Sequence, residues 1–113
     1  FNKNMMSQLA SFLLANNHIS IEVNCFSDFV EVPLMNLMAS ADQANDIRNY
    51  LVKQGIAGSR INTIGNGDMF PIVEENIWLA MNSEEQRIAN NKNRRIAIVI
   101  IKQQNNRNSF VSL

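Results

Sequence analysis

The chain carries one histidine and one cysteine in 113 residues. A single Cys25 excludes a disulfide framework within the chain. A lone His18, set at the start of an expected strand with no acid nearby in sequence, gives no base beside a nucleophile and reads as an ordinary strand-end side chain. An excess of charge is missing too. Ten basic and ten acidic residues give a formal net charge of zero, which argues against nucleic acid or an anionic membrane surface as a partner. No apolar run approaches the length of a bilayer span, and Phe1-Asn2-Lys3-Asn4 does not resemble a signal peptide, so any targeting or anchoring segment is expected outside this chain. There is no internal repeat. What is present is a hydrophobic content of 46%, enough for one small domain to bury a core without staples.

Apolar spacing gives an alternation of helices and strands. From about Asn4 to Asn16, Met6, Leu9, Ala10 and Leu13 share a helical face, and Asn16-Asn17 supply a stop. From His18 to Cys25 the period changes to two, with Ile19, Ile21, Val23 and Cys25 on one side, which predicts a strand buried on one face. Phe26 to Met35 reads as a loop. Ser40 with Gln43 three residues on fits a capping box, so the next helix is expected to begin at Ala41, with Ala41, Ala44, Ile47 and Leu51 on its apolar stripe. Gly55 then closes it in a left-handed conformation, and Ile56 folds back towards Leu51 in a Schellman end.

Arg60 to Ile64 predicts a short strand ended by the turn Gly65-Asn66-Gly67. Between Met69 and Asn91 the pattern allows a helix around Glu74 to Met81 and a further turn or two from Ser83 to Ile88, where Ser83-Glu84-Glu85-Gln86 fits a capping box. The run from Arg95 to Ile101 is apolar on both faces, as in a central strand or one beside a partner. The last eleven residues, 103–113, are polar and aperiodic and are expected to form a tail beyond a domain of residues 1–102. The fold class is therefore α/β, with helices covering a small sheet. Three strands make that sheet thin, so a first strand is expected upstream of Phe1.

The chemistry-bearing residues do not assemble into a catalytic or metal constellation. Cys25 ends a buried strand face, where a free cysteine serves as a small apolar side chain, and no basic neighbour in sequence would activate it. Glu74-Glu75 and Glu84-Glu85 lack metal-ligand spacing and read as solvated helix faces. Gly65-Asn66-Gly67 lacks the lysine and the following helix of a phosphate-binding loop. No enzyme activity, cofactor or metal is expected, and a binding domain remains.

Several landmarks, taken in order, carry a resemblance. Val23-Asn24-Cys25-Phe26-Ser27-Asp28 is similar to the motif V-x-G-H-T-D of the OmpA-like peptidoglycan-binding domains. Asn36, Ser40 and Ala44 then fall, without a gap, on that family's N-x-x-L-S-x-x-R-A. Gly55-Ile56, Arg60-Ile61, Gly65-Asn66-Gly67-Asp68 and Pro71-Ile72 match its G-I, R-I, G-x-G-[DE] and P-I, and Asn93-Arg94-Arg95-Ile96 matches N-R-R-[VI]. The resemblance spans about Val23 to Ile101, with an insertion around Asn76 to Ser83.

This resemblance implies a β-α-β-α-β two-layer domain that binds the stem peptide of peptidoglycan non-covalently. It implies a periplasmic location with attachment to the outer membrane, as in a lipoprotein that anchors an envelope assembly. In the family a loop aspartate receives the ammonium of diaminopimelate and a helix arginine holds its carboxylate, a sensible way to read a zwitterion. Asp28 stands at the aspartate position, Asn36 at a polar ligand-contacting position, and Gln43 where the arginine is expected. A hydrogen bond to a charged group contributes roughly 1.5–3 kcal/mol, so losing the guanidinium implies about ten- to a hundredfold weaker binding unless Arg94 compensates from the same cleft. Arg95 is expected to flank its strand and pair with an acidic neighbour. An alternative is a structural adaptor in an envelope or secretion complex that has kept the fold and holds protein partners, through an apolar patch of Phe26, Phe29, Val30 and Val32.

Overall fold

A computed structural model describes residues 2–102 and 107–112. The chain runs α1 (Lys3–Ala15), β1 (Ile19–Phe26), α2 (Pro33–Lys53), β2 (Ile61–Gly65), α3 (Glu75–Leu79), α4 (Ser83–Asn93), β3 (Arg95–Lys102) and β4 (Arg107–Ser112). The four strands form one sheet in the order β2-β1-β3-β4. β1 and β2 are parallel, with Ile21 opposite Ile61, and α2 is the crossover between them. β3 runs antiparallel to β1, with Val23 opposite Ile98, and β4 is antiparallel to β3.

The period-two reading of β1 holds: Ile19, Ile21, Val23 and Cys25 are buried while the residues between them are partly exposed. They meet Met6, Ala10 and Leu13 from α1 and Ala44, Ile47 and Leu51 from α2 in a single core cluster, which Ile61, Ile96 and Ile98 complete from the flanking strands. Each large aliphatic side chain buried this way contributes about 1.5–3 kcal/mol. The α/β class follows from this arrangement of helices on one face of a mixed sheet.

The end of α2 is as its sequence requires. Gly55 has φ 104°, its N–H donates to Val52 O at 3.0 Å, and Ile56 N–H donates to Leu51 O at 3.2 Å, which is the bond pattern of a Schellman motif. Its start is not where the capping-box match placed it. The helix begins at Pro33, with Val32 as an extended N-cap, about two turns before Ala41. Proline at the first helical position has its φ already set and lacks an N–H that would be unpaired there anyway, so Pro33 is the operative start signal. Ser40 lies within the helix; its hydroxyl donates to Leu37 O and accepts from Gly67 N–H, both at 2.9 Å, and caps nothing.

Three other boundaries differ from the sequence pattern. The cap of α4 is Asn82, one residue before Ser83: its side chain accepts from Glu85 N–H at 2.9 Å while Glu85 Oε1 accepts from Asn82 N–H at 3.1 Å. Asn and Ser cap about equally well, so local preference does not choose between them, and the helix extends beyond Ile88 to Asn93. At the C-terminus, Arg107–Ser112 pairs with β3 as β4 where a tail is expected from composition; residues 103–106 and 113 of that expected tail lie outside the described residues. Polar composition does not prevent an edge strand, because half of its backbone bonds are supplied by the neighbour. β3 lies between β1 and β4, so it is a central strand, as its apolar run predicts.

Candidate functional site

The C-terminal ends of β1 and β2 converge on the first half of α2, and the backbone there is tightly joined. Gly65 ends β2 so close to the helix that a Cβ would lie 2.3 Å from Ala41 N, which restricts the position to glycine. Gly67 has φ 59°, its N–H is held by Ser40 Oγ, and its carbonyl accepts from Ser27 N–H at 2.7 Å. Asn66 N–H donates to Cys25 O at 2.9 Å, so the turn after β2 clamps the loop that leaves β1.

That loop carries Asp28, which is only 7% exposed. Its Oδ1 accepts from Val30 N–H at 2.9 Å, and its Oδ2 lies 3.1 Å from Arg94 Nε. The carboxylate is thus oriented by its own loop and paired with a guanidinium whose side chain is 54% exposed. Arg94 is also within reach of Asn90 O at 3.4 Å and of Asn91 Oδ1, both on the last turns of α4.

Arg94 lines a cleft of about 380 Å³ whose other walls include Phe26 and Ser27 from the end of β1, Ala39, Ser40 and Gln43 from α2, and Met5 and Met6 from α1. Gln43, released from the capping role expected of it, is therefore a wall residue of the same cleft as Arg94. Arg95 also lines it, but pairs with no acid among the described residues. Its guanidinium stacks 3.9 Å from the centre of the Phe26 ring and donates to Asn93 O at 3.0 Å and to Phe70 O. Partial burial pushes the Arg95 pKa below the usual arginine value.

Asn36 takes a different position. It is buried, and its Nδ2 donates to Glu31 O at 2.9 Å and to Asp68 Oδ2 at 3.2 Å. This ties the Asp28 loop to α2 and to the turn after β2, behind the cleft walls. The structure therefore brings Gln43 and Arg94 into one cleft, joins Asp28 to it through Arg94, and sets Asn36 as a brace. Asp68, matched in the sequence only as a landmark, is the brace's partner; its signal was the G-x-G-[DE] spacing, which names no contact. Of the four side chains expected to make an apolar patch, Phe26 is half-buried under Arg95 and Phe29 is half-buried with its ring 5.8 Å from that of Trp78, whereas Val30 and Val32 are exposed.

Among the described residues no group of three or more His, Cys, Asp and Glu side chains is placed to hold a metal ion. No helix among them is long and apolar enough to cross a membrane.

Comparison with known proteins agrees with the family landmarks. The chain is 31% identical over 96 residues to the peptidoglycan-binding protein ArfA of Mycobacterium tuberculosis and to that of Mycobacterium bovis, an alignment covering 85% of this chain and 27% of ArfA. The chain thus spans about a quarter of the length of these curated relatives. Among solved structures, the peptidoglycan-associated lipoprotein of Burkholderia pseudomallei has the same fold, with a TM-score of 0.71 at 18% identity over 86% of this chain and 75% of that one. The C-terminal domain of Helicobacter pylori MotB gives a TM-score of 0.70 at 19% identity, over 94% of this chain and 78% of that one. Residues 1–85 match the sequence profile of the OmpA family, and with the motifs and the sheet described above the chain belongs to that family.

Proposed function

We propose that this domain binds peptidoglycan without chemistry on it, by holding the diaminopimelate of the stem peptide, and that it anchors an envelope protein or assembly to the cell wall from the periplasmic side. Family membership and the peptidoglycan-binding relatives support the ligand class. The observation that carries the finer reading is the buried, oriented Asp28 carboxylate bonded to Arg94, which shares a cleft with Gln43.

A zwitterion suits this arrangement. Its ammonium replaces Arg94 Nε at Asp28 Oδ2, and the released Arg94, on a largely exposed stem, turns to the ligand carboxylate with Gln43 donating one amide N–H. One ion pair is exchanged for two, so Asp28 is never left as an unpaired buried charge, a state that would cost several kcal/mol. Asn36 acts on binding by holding the loop against Asp68. Arg94 in this role offsets the absent helix arginine only in part, because it must first leave Asp28.

The test is titration of the chain with a diaminopimelate-containing muropeptide, followed by amide chemical shifts. The expected result is saturable shifts at Asp28, Gln43 and Arg94, loss of binding by at least about tenfold in Asp28→Ala and in Arg94→Ala, and a gain of about tenfold or more in Gln43→Arg. Absence of shifts at millimolar muropeptide in the wild-type chain sinks the proposal. A second reading, an adaptor for protein partners in an envelope or secretion assembly, is favoured by the exposure of Val30 and Val32. Under that reading Gln43→Arg alone gains muropeptide binding, and the wild type has none.

A further inference from the structure

The one tryptophan of the chain, Trp78, lies where no family landmark falls, between Pro71-Ile72 and Asn93-Arg94. It belongs to α3, whose neighbouring apolar side chains Ile77 and Leu79 are 52% and 64% exposed. Trp78 is half-buried instead, and its side chain is held from two directions. Its ring packs on that of Phe29, with centroids 5.8 Å apart and planes inclined at 56°. Its indole N–H donates to Asn90 Oδ1 at 2.9 Å. A tilted ring pair at this distance is favourable, and a half-buried indole needs the acceptor that Asn90 provides. The Trp78 carbonyl in turn accepts from Gln86 Nε2 at 3.0 Å, which fixes α3 against α4.

Both contacts lead to the ion pair at the cleft. Phe29 follows Asp28 directly, in the loop whose turn is closed by Val30 N–H on Asp28 Oδ1. A ring set against Phe29 therefore limits the directions in which the Asp28 carboxylate points. Asn90 lies one turn before Arg94, and its carbonyl accepts from the Arg94 backbone N–H at 2.9 Å and lies 3.4 Å from Arg94 Nε. By holding the Asn90 side chain, the indole N–H steadies the turn from which Arg94 projects. The Arg94 side chain is 54% exposed, so its direction depends on such anchors rather than on close packing. One aromatic side chain thus joins the loop of the anion to the helix end of the cation.

We infer that Trp78 is the positioning residue of the Asp28–Arg94 pair, setting the spacing of the two charges through Phe29 on one side and Asn90 on the other. The core does not set that spacing by itself. Asp28 lies in a loop, Arg94 follows the last residue of α4, and neither α3 nor α4 contributes to the central cluster. Without Trp78 the loop and the end of α4 lose their common support, and the 3.1 Å contact between Asp28 Oδ2 and Arg94 Nε loosens. The consequence for binding rests on the diaminopimelate reading above: an ammonium at Asp28 and a carboxylate at Arg94 must be met together, so a less defined spacing weakens the ligand. Trp78 is not a wall of the cleft and acts only through its two neighbours.

The NMR signal of the Arg94 Nε–Hε group reads the pair in the free chain, before any ligand is added, and Asp28→Asn supplies the reference for a broken pair. The expected result is that Trp78→Phe, which keeps a ring for Phe29 and removes the indole N–H, moves this signal at least about halfway to that reference. Phe29→Leu moves it too. In the double variant Trp78→Phe, Asn90→Leu the signal lies where Asn90→Leu alone puts it, because the two residues act in series. Asn82→Ala, which loses the cap of α4 and so costs stability without touching Trp78, leaves the signal in place. Titrated with a diaminopimelate muropeptide, Trp78→Phe binds roughly three- to tenfold more weakly than the wild type, as the loss of one hydrogen bond implies. A folded Trp78→Phe whose Arg94 signal stays at the wild-type position overturns the inference, whether or not the wild type binds muropeptide. A wild type without muropeptide binding whose Arg94 signal moves as expected in the variants supports the positioning role and overturns the diaminopimelate reading instead.

Discussion

At the scale of single residues, Gln43 and Cys25 illustrate what a side chain's surroundings decide. Gln43 has the same chemistry in a cap and in a cleft wall; which of the two it serves depends on where the helix begins, ten residues upstream at Pro33. Its position in the family motif was legible in the sequence, and so was Arg94 as a candidate for the same cleft; the pairing of Arg94 with Asp28 was not, because 66 positions separate them and only the junction of α4 with β3 brings them together. Cys25 was legible as a buried apolar side chain. Burial pushes its thiol from an ordinary 9.0 up to about 11. Since folding favours the protonated thiol, the stability it contributes is complete below pH 9.0 and is lost as the pH rises towards about 11. A thiol reagent at pH 8 is therefore expected to label the folded chain at least about a hundredfold more slowly than the chain in urea, as followed by mass spectrometry. Equal rates would mean that the β1 face opens readily.

At the scale of elements, α2 held both the clearest ending and the most misleading beginning. Gly55 determines its end through a conformation that few other residues adopt, so the local sequence was sufficient. The beginning had two local signals, Pro33 and the pair Ser40 and Gln43, and local rules do not rank them. Packing ranks them: the turn after β2 needs Ser40 Oγ for Gly67 N–H and Asn36 for Asp68, and both are available only if α2 is already helical from Pro33. Arg60 is a second residue whose element-level role the sequence marked but did not explain. Its guanidinium donates to Ile19 O at 2.9 Å, Leu13 O at 2.8 Å and Asn16 O at 2.7 Å, closing the last carbonyls of α1 onto the start of β1. Arg60→Ala is expected to destabilise the chain by about 2–3 kcal/mol, and Arg60→Lys by most of that, because an ammonium cannot span three carbonyls in one plane. Urea denaturation measures both; a loss below about 0.5 kcal/mol for Arg60→Ala would show that water replaces the guanidinium without cost.

At the scale of the whole molecule, one core joins α1, α2 and the strands β1, β2 and β3, while α3 and α4 lie outside it. They are tied back through Asn93, fully buried, whose side chain exchanges two hydrogen bonds with the backbone of Val73 at 2.8 and 3.1 Å, and through Trp78, which meets Phe29 and donates to Asn90 Oδ1 at 2.9 Å. Coincident urea transitions are therefore expected from far-UV circular dichroism and from the fluorescence of Trp78, the one tryptophan. A fluorescence midpoint clearly below that of circular dichroism would make α3 and α4 a separately melting unit. The sequence by itself determined the α/β class, the buried face of β1, the end of α2 and the family, because each rests on a short-range period, a cap or a motif of fixed spacing. Only the tertiary structure decided that α2 starts at Pro33, that Asp28 is paired with Arg94, and that polar side chains turn inward in the first turns of α2 while apolar ones face outward. Those outcomes depend on partners distant in the chain, and no local pattern encodes which hydrogen bonds a buried polar group will find.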